Sequence, residues 1–138
     1  MLFPVKDMIH KRKSVRTFNG ERLKEEDRME LEKYTQMQTN PFHVPVTFQL
    51  LDAKEYNLSS PVIVGADLYL AAKVSRLKHY EIGFGYSFEQ VCLYAEYLGI
   101  GTVMLAASLS RSAFEKAMNL QDDEVLPVAS PVGYPAQK

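Results

Sequence analysis

The chain has 138 residues, 46% of them hydrophobic and 24% charged, with a formal net charge of −1 at pH 7. That length suits one domain, residues 1–138, with enough chain to bury a core. The near-neutral balance gives no global pull toward nucleic acid or a membrane.

No apolar run approaches the ~20 residues that cross a bilayer. The opening stretch, MLFPVKDMIHKRK, puts its charges after a short apolar segment, the wrong order for a secretory signal. The single cysteine, Cys92, excludes an intrachain disulfide framework, and a cytoplasmic setting is expected.

In chain order, Pro4 suits a first helical turn, and Val5, Met8 and Ile9 make an apolar stripe, so residues 4–11 read as a helix. His10 to Phe18 follows, with four fixed cations (Lys11, Arg12, Lys13, Arg16) and the Ser14 hydroxyl interrupted by Val15 and Phe18. That interruption separates the segment from a disordered basic tail. Asn19-Gly20 signals a turn. Residues 23–38 read as a surface helix with a ragged, Met-rich stripe. Residues 39–42 are a loop, since Pro41 and Pro45 forbid helix there.

Residues 46–51 read as a strand, 54–60 as a polar connection, and 61–65 and 68–74 as extended. Residues 76–81 read as a charged connection. Gly83-Phe84-Gly85 reads as a small-residue loop, after which Ser87 and Gln90 have capping-box spacing for a helix. Its apolar stripe runs through Phe84, Phe88, Val91, Cys92, Ala95 and Leu98, and Tyr94 and Tyr97 lie off that stripe, so the helix should be buried on much of its circumference. Gly99 is its expected C-cap.

Thr102–Leu105 reads as a short buried strand leading to the small pair Ala106-Ala107. Ser110 or Ser112 can cap a helix to Met118. Asp122-Asp123-Glu124 reads as a solvated acidic turn, and Val125–Val132 as an edge or irregular strand interrupted by prolines. Helices and strands alternate without regular βαβ units, which favours an α+β fold with helices on a largely antiparallel sheet.

Metal chemistry has little support, because His10, His43 and His79 are scattered without partners at ligand spacing. There is no G-x-S-x-G elbow, no P-loop, and no complete dinucleotide fingerprint at Gly83-Phe84-Gly85. A protein without its own nucleophile or metal often takes its chemistry from an organic cofactor. The basic segment suits that role, since Arg, Lys and Ser offer charge-assisted bonds to a phosphate; a solvated basic face is the plainer alternative.

Lys11-Arg12-Lys13-Ser14-Val15-Arg16-Thr17-Phe18 resembles the R-R-S-x-R-x-F segment of the nitroreductase family of FMN-dependent oxidoreductases. Tyr97-Leu98-Gly99-Ile100-Gly101-Thr102 resembles the family's "LGLGT" join. Leu126-Pro127-Val128 through Val132-Gly133-Tyr134-Pro135 resembles its "P-x-x-x-P-x-G-Y-P" strand end. The order is right, the match spans nearly the whole chain, and the nearest subtype is that of compact nitroreductases from thermophiles and anaerobes.

The resemblance implies a nitroreductase-like fold that binds FMN at a homodimer interface. It implies a ping-pong reaction, NAD(P)H giving electrons to the flavin and a nitroaromatic, quinone or similar small molecule taking them. By the same carry-over, Arg12, Lys13 and Ser14 hold the phosphate and ribityl chain, with Lys13 standing where the family more often has Arg. Arg16 lies near the pyrimidine side of the ring. Asn40, Pro41 and Phe42 form a ring-contacting loop, often supplied by the partner subunit. Leu105, Ala106 and Ala107 form the backbone turn beside the reactive edge, where the family commonly has glycines. The resemblance also implies a further tail after the G-Y-P motif, carrying another phosphate contact and an arm around the second subunit; a chain ending at Lys138 would lack it.

Two rivals stand beside this reading: a flavin-binding or interaction protein without turnover, and a nucleic-acid-binding module using Lys11 to Arg16. The second lacks a basic, aromatic-interleaved surface elsewhere.

Overall fold

The computed structural model describes residues 3–136. Met1, Leu2, Gln137 and Lys138 lie outside the described residues, so the expectations that touch them stay with the sequence. The elements are α1 (Val5–Lys11), α2 (Glu25–Gln36), β1 (Val46–Asp52), α3 (Ala53–Tyr56), β2 (Leu68–Ser75), α4 (Tyr80–Tyr97), α5 (Arg111–Ala117), β3 (Glu124–Val125) and β4 (Ala129–Pro131).

The sheet is built around β2, which pairs antiparallel with β1 on one side and with β3 and β4 in succession on the other. Val74 faces Val125, whereas Ala71 faces Ala129, so the returning chain carries one extra residue between the two pairings. That bulge falls where Pro127 cannot donate to a ladder, which accounts for the expected interruption at Pro127. Pro131, the other proline expected to interrupt, instead lies within β4 opposite Tyr69.

β2 is buried along both faces. Its alternate residues Leu68, Leu70, Ala72 and Val74 join one core with Phe84, Phe88, Val91 and Tyr94 of α4 and Leu31 and Tyr34 of α2. Tyr69 and Ala71 point into a second core with Leu51, Phe114 and Met118. The period of two thus assigns one side of the strand to each helical layer. Ala71 and Ala72, poor strand formers by propensity, lie in the strand because packing on both faces outweighs local preference. The result is an α+β fold with an antiparallel sheet flanked by helices.

Several expectations need correction. Among them, Pro61 and Val62 form a turn rather than extended chain, with only Val64 in a bridge, to Thr17. α4 starts at Tyr80, not at Ser87, so Gly83-Phe84-Gly85 is helix rather than loop, and the charged connection ends earlier. Gly83 is there because a Cβ at that position would stand 2.6 Å from the Val44 Cβ; the loop around Asn40 and Val44 packs directly on the helix backbone. Ser87 is buried in mid-helix and accepts a hydrogen bond from the Asn40 amide at 3.1 Å instead of capping.

Thr102–Leu105 makes isolated bridges at Thr102 and Leu105 in place of a continuous strand, because its neighbours on either side belong to different segments. The expected connection at 54–60 begins with the single helical turn of α3, Ala53–Tyr56: the Asp52 carboxylate accepts from the N–H groups of Lys54 and Glu55, both at 2.9 Å. Glu124 is not solvated turn but the start of β3, paired with Lys73 at 2.9 Å.

The other end of α4 follows the sequence. Leu98 is the C-cap, and Gly99 takes φ +82°. Ile100 N–H bonds to Ala95 O at 2.8 Å and Gly99 N–H to Glu96 O at 3.0 Å, the two bonds of a Schellman motif. Ser110 occupies the N-cap position of α5 without a side-chain capping bond. α2 lies at the surface as expected, with Met29 and Met37 exposed, but its Leu31 and Tyr34 enter the core. Among the described residues no helix is long and apolar enough to cross a membrane.

Candidate functional site

Residues 12–19 leave α1 as an extended segment threaded between three others. Val15 N–H bonds to Thr102 O at 2.9 Å, Phe18 N–H to Val64 O at 2.8 Å, and Asn19 N–H to Tyr134 O at 2.9 Å. Val15 and Phe18 are buried and act as pegs, Val15 against Gly101 and Phe18 against Gly133. With those two side chains turned inward, Lys13, Ser14, Arg16 and Thr17 remain exposed. They line an open groove of about 400 Å³ together with Val15, Pro135 and Ala136. Among the described residues, Lys13 and Arg16 have no acidic partner.

Arg12 stands apart from its basic neighbours. Its side chain is largely buried; Nε pairs with the Glu89 carboxylate at 3.2 Å and one terminal nitrogen donates to Thr102 Oγ1 at 3.2 Å. Beneath it lies Cys92, whose thiol is pushed up to about 12 by burial, against a smaller lowering by the Thr102 hydroxyl and the Arg12 charge. A thiol with that affinity for its proton is inert at neutral pH, in keeping with a structural cysteine.

The turn after Thr102 has an unusual hydrogen-bond balance. It is fastened at both ends by reciprocal pairs, Leu105 with Ala129 (2.8 and 3.0 Å) and Ser110 with Ser59 (both 3.0 Å). Inside it the Ala106 carbonyl accepts from Arg111 and the Ser108 carbonyl from the Ser60 hydroxyl. The N–H groups of residues 106–109 find no acceptor among the described residues. Leu105 is buried, whereas Ala106 and Ala107 are exposed. The turn therefore offers a run of backbone donors, with two of its four carbonyls already taken by side chains. Leu105 lies three residues beyond Thr102, the partner of Ser14, so at most about 10 Å of extended chain separates the turn from the basic segment.

The loop expected to contact a ring divides its roles. Pro41 and Phe42 are exposed. Asn40 is buried, and its amide is fully used: Nδ2 donates to Val44 O at 2.7 Å and to Ser87 Oγ at 3.1 Å, while Oδ1 accepts from Phe42 N–H and Val44 N–H, both at 3.1 Å. Ser87 and Glu89 are two positions apart on α4, or ~200° around the helix. Arg12 and Asn40 thus approach α4 from opposite flanks, and the fold does not bring them together.

An alanine at position 40 should leave several buried polar groups unpartnered and cost roughly 1–3 kcal/mol. Urea unfolding of Asn40→Ala measures this; unchanged stability would mean that the amide does not organise the loop.

Sequence reasoning passed over Thr102 and Glu89 as partners of Arg12, and over Arg111 and Ser60 at the turn. Their roles depend on contacts between segments far apart in the chain, for which the sequence carries no local signal.

A family model described as "Putative TM nitroreductase" matches residues 4–138. Among solved structures, a nitroreductase family protein from Clostridium novyi NT superposes with a TM-score of 0.78 at 15% identity, covering 98% of this chain and 87% of that one. An FMN-dependent nitroreductase from Clostridium difficile R20291 gives 0.77 at 12% identity, covering 95% and 87%. An iodotyrosine deiodinase solved with FMN and 3-iodo-L-tyrosine gives 0.76 at 18% identity, covering 97% and 91%. A search among curated proteins gave no match.

Proposed function

The chain belongs to the nitroreductase family, and on that premise we propose that it is an FMN-dependent oxidoreductase. In this reading, residues 1–138 act as one domain in the cytoplasm. Electrons pass from NAD(P)H to a nitroaromatic, quinone or similar small acceptor, at a site shared between the subunits of a homodimer.

The observation that carries the reading is the cationic groove of Lys13 to Thr17, whose charges have no acidic partner among the described residues. The donor set fits FMN. Lys13 and Ser14, with the donors Arg12 keeps after binding Glu89 and Thr102, suit a phosphate and a polyhydroxyl chain. The free N–H groups at Ala106 and Ala107 suit the acceptor atoms along the rim of a flavin ring. The Arg16 guanidinium stabilises negative charge on the pyrimidine side.

Bound FMN supplies the hydride and electron transfer; the protein grips the group by its rim and phosphate and leaves a face open. Phe42, exposed on the far flank of α4, reaches the flavin bound by the partner, and the Asn40 amide holds that loop in shape. Ile82 and Tyr86 on α4 and Val5 and Ile9 on α1 are large exposed apolar side chains, and they supply the surface that the second subunit covers. Met29 and Met37 add to it.

The test is anaerobic titration of the full chain with FMN, then with NADH and NADPH, alongside sedimentation. Stoichiometric FMN binding, bleaching of the flavin absorbance by a nicotinamide nucleotide, and a dimer at micromolar concentration are expected. FMN binding without bleaching would favour a flavin-binding protein without turnover, and a monomer with full FMN affinity would remove the shared site.

A further inference from the structure

Arg111 is the first residue of α5, and its guanidinium reaches away from the helix to three backbone carbonyls. One terminal nitrogen donates to Leu126 O at 2.6 Å; the other donates to Ala106 O and, at 3.5 Å, to Pro127 O. Its one acidic neighbour among the described residues, Glu115, stands at 3.8 Å as a half-exposed pair on the same helix. The residue therefore joins the start of the 106–109 turn to the chain that leads into β4, at the point where the bulge leaves the ladder open. Ser60 does the equivalent at Ser108.

We infer that Arg111 is a positioning residue for the flavin ring: by occupying the carbonyl of Ala106 and fixing it to residues 126–127, it holds in place the turn whose N–H groups at 106–109 have no acceptor among the described residues. The inference rests on the proposed FMN site and says which side chain makes its ring-facing half rigid. A planar guanidinium can serve three carbonyls from a fixed fork, whereas a lysine ammonium is a single centre on a flexible stem. The residue thus acts by bridging and not by charge alone. A loosened turn must be ordered when the ring binds, which lowers affinity.

The test compares the wild-type chain with Arg111→Gln, Arg111→Lys and Ser60→Ala in titrations with FMN and with riboflavin, followed by redox titration and melting of the apo-proteins. Arg111→Gln should weaken FMN and riboflavin binding by the same factor, roughly tenfold, because the loss is at the ring and not at the phosphate. It should weaken binding of reduced flavin more than oxidised; each tenfold of that difference lowers the two-electron midpoint potential by about 30 mV. Arg111→Lys should not restore either quantity.

Ser60→Ala should show the same pattern with a smaller loss, and it keeps the test open if Arg111→Gln fails to fold. Unchanged riboflavin affinity, a loss confined to FMN, or full rescue by lysine would each overturn the inference while leaving FMN binding intact. A wild-type chain that binds neither flavin would overturn the FMN reading, and this inference with it.

Discussion

Replacing Phe88 with alanine is expected to cost the fold about 3–5 kcal/mol, a large share of the 5–15 kcal/mol that holds an ordinary domain together. Phe88 is completely buried. Its ring stacks against Phe84 at 5.5 Å and against Phe48 of β1 at 5.9 Å, so it links α4 to the sheet. The β2 residues of the same core include Ala72, whose methyl is too small to move in and fill the gap. Equilibrium urea unfolding should show a lower midpoint with an unchanged slope. A loss under ~1.5 kcal/mol would mean that the interior relaxes around the cavity, and that α4 is held chiefly by its other contacts.

The second large effect concerns the groove. Lys13→Ala, Ser14→Ala and Arg16→Ala together should reduce FMN affinity by a hundredfold or more. Hydrogen bonds from charged groups contribute ~1.5–3 kcal/mol each, and a factor of ten is ~1.4 kcal/mol. All three side chains are exposed on a segment held by its backbone and by Val15 and Phe18, so the fold should melt unchanged. Riboflavin, which lacks the phosphate, should lose only the part due to Arg16 and the ribityl contacts. Fluorescence titration of both ligands measures the difference. Equal losses for the two would remove phosphate recognition from this segment, and no loss for either would place the flavin elsewhere.

Much of this architecture was legible in the sequence, for reasons that differ by element. α1 and α5 carry a helical apolar stripe, α2 a ragged one and β1 a weak alternation. β2, buried on both faces, shows no alternation and is betrayed only by its apolar run. Gly99 marks the end of α4 because only a left-handed residue continues the chain there. The start of α4 was misread because Gly83, Gly85 and Ser87 look like loop and cap when only near neighbours are considered. Gly83 is instead dictated by Val44, which lies distant in sequence and adjacent in space.

The basic segment could be recognised from its residue types, and the pegs Val15 and Phe18 from their contrast with them. That Arg12 turns inward to Glu89 while Lys13 and Arg16 stay free could not, since all three are cations in one short run. The same limit applies at Asn40, whose amide closes four hydrogen bonds that no spacing announces.

The groove's walls also have a bearing on how the molecule is made. Residues 13–17 form one wall, and Pro135 and Ala136 form another, joined through the pairing of Phe18 with Pro135. On a ribosome the first wall emerges long before the second. Until then the cationic stretch has nothing to lie against, and closing so long a loop carries an entropic cost that only the finished sheet offsets. The pocket thus cannot form before residues 135 and 136 have been made and the sheet has closed. A ligand that binds there stabilises only chains that have completed their fold, so the supply of that ligand in the cell would govern how much of this protein survives its own synthesis.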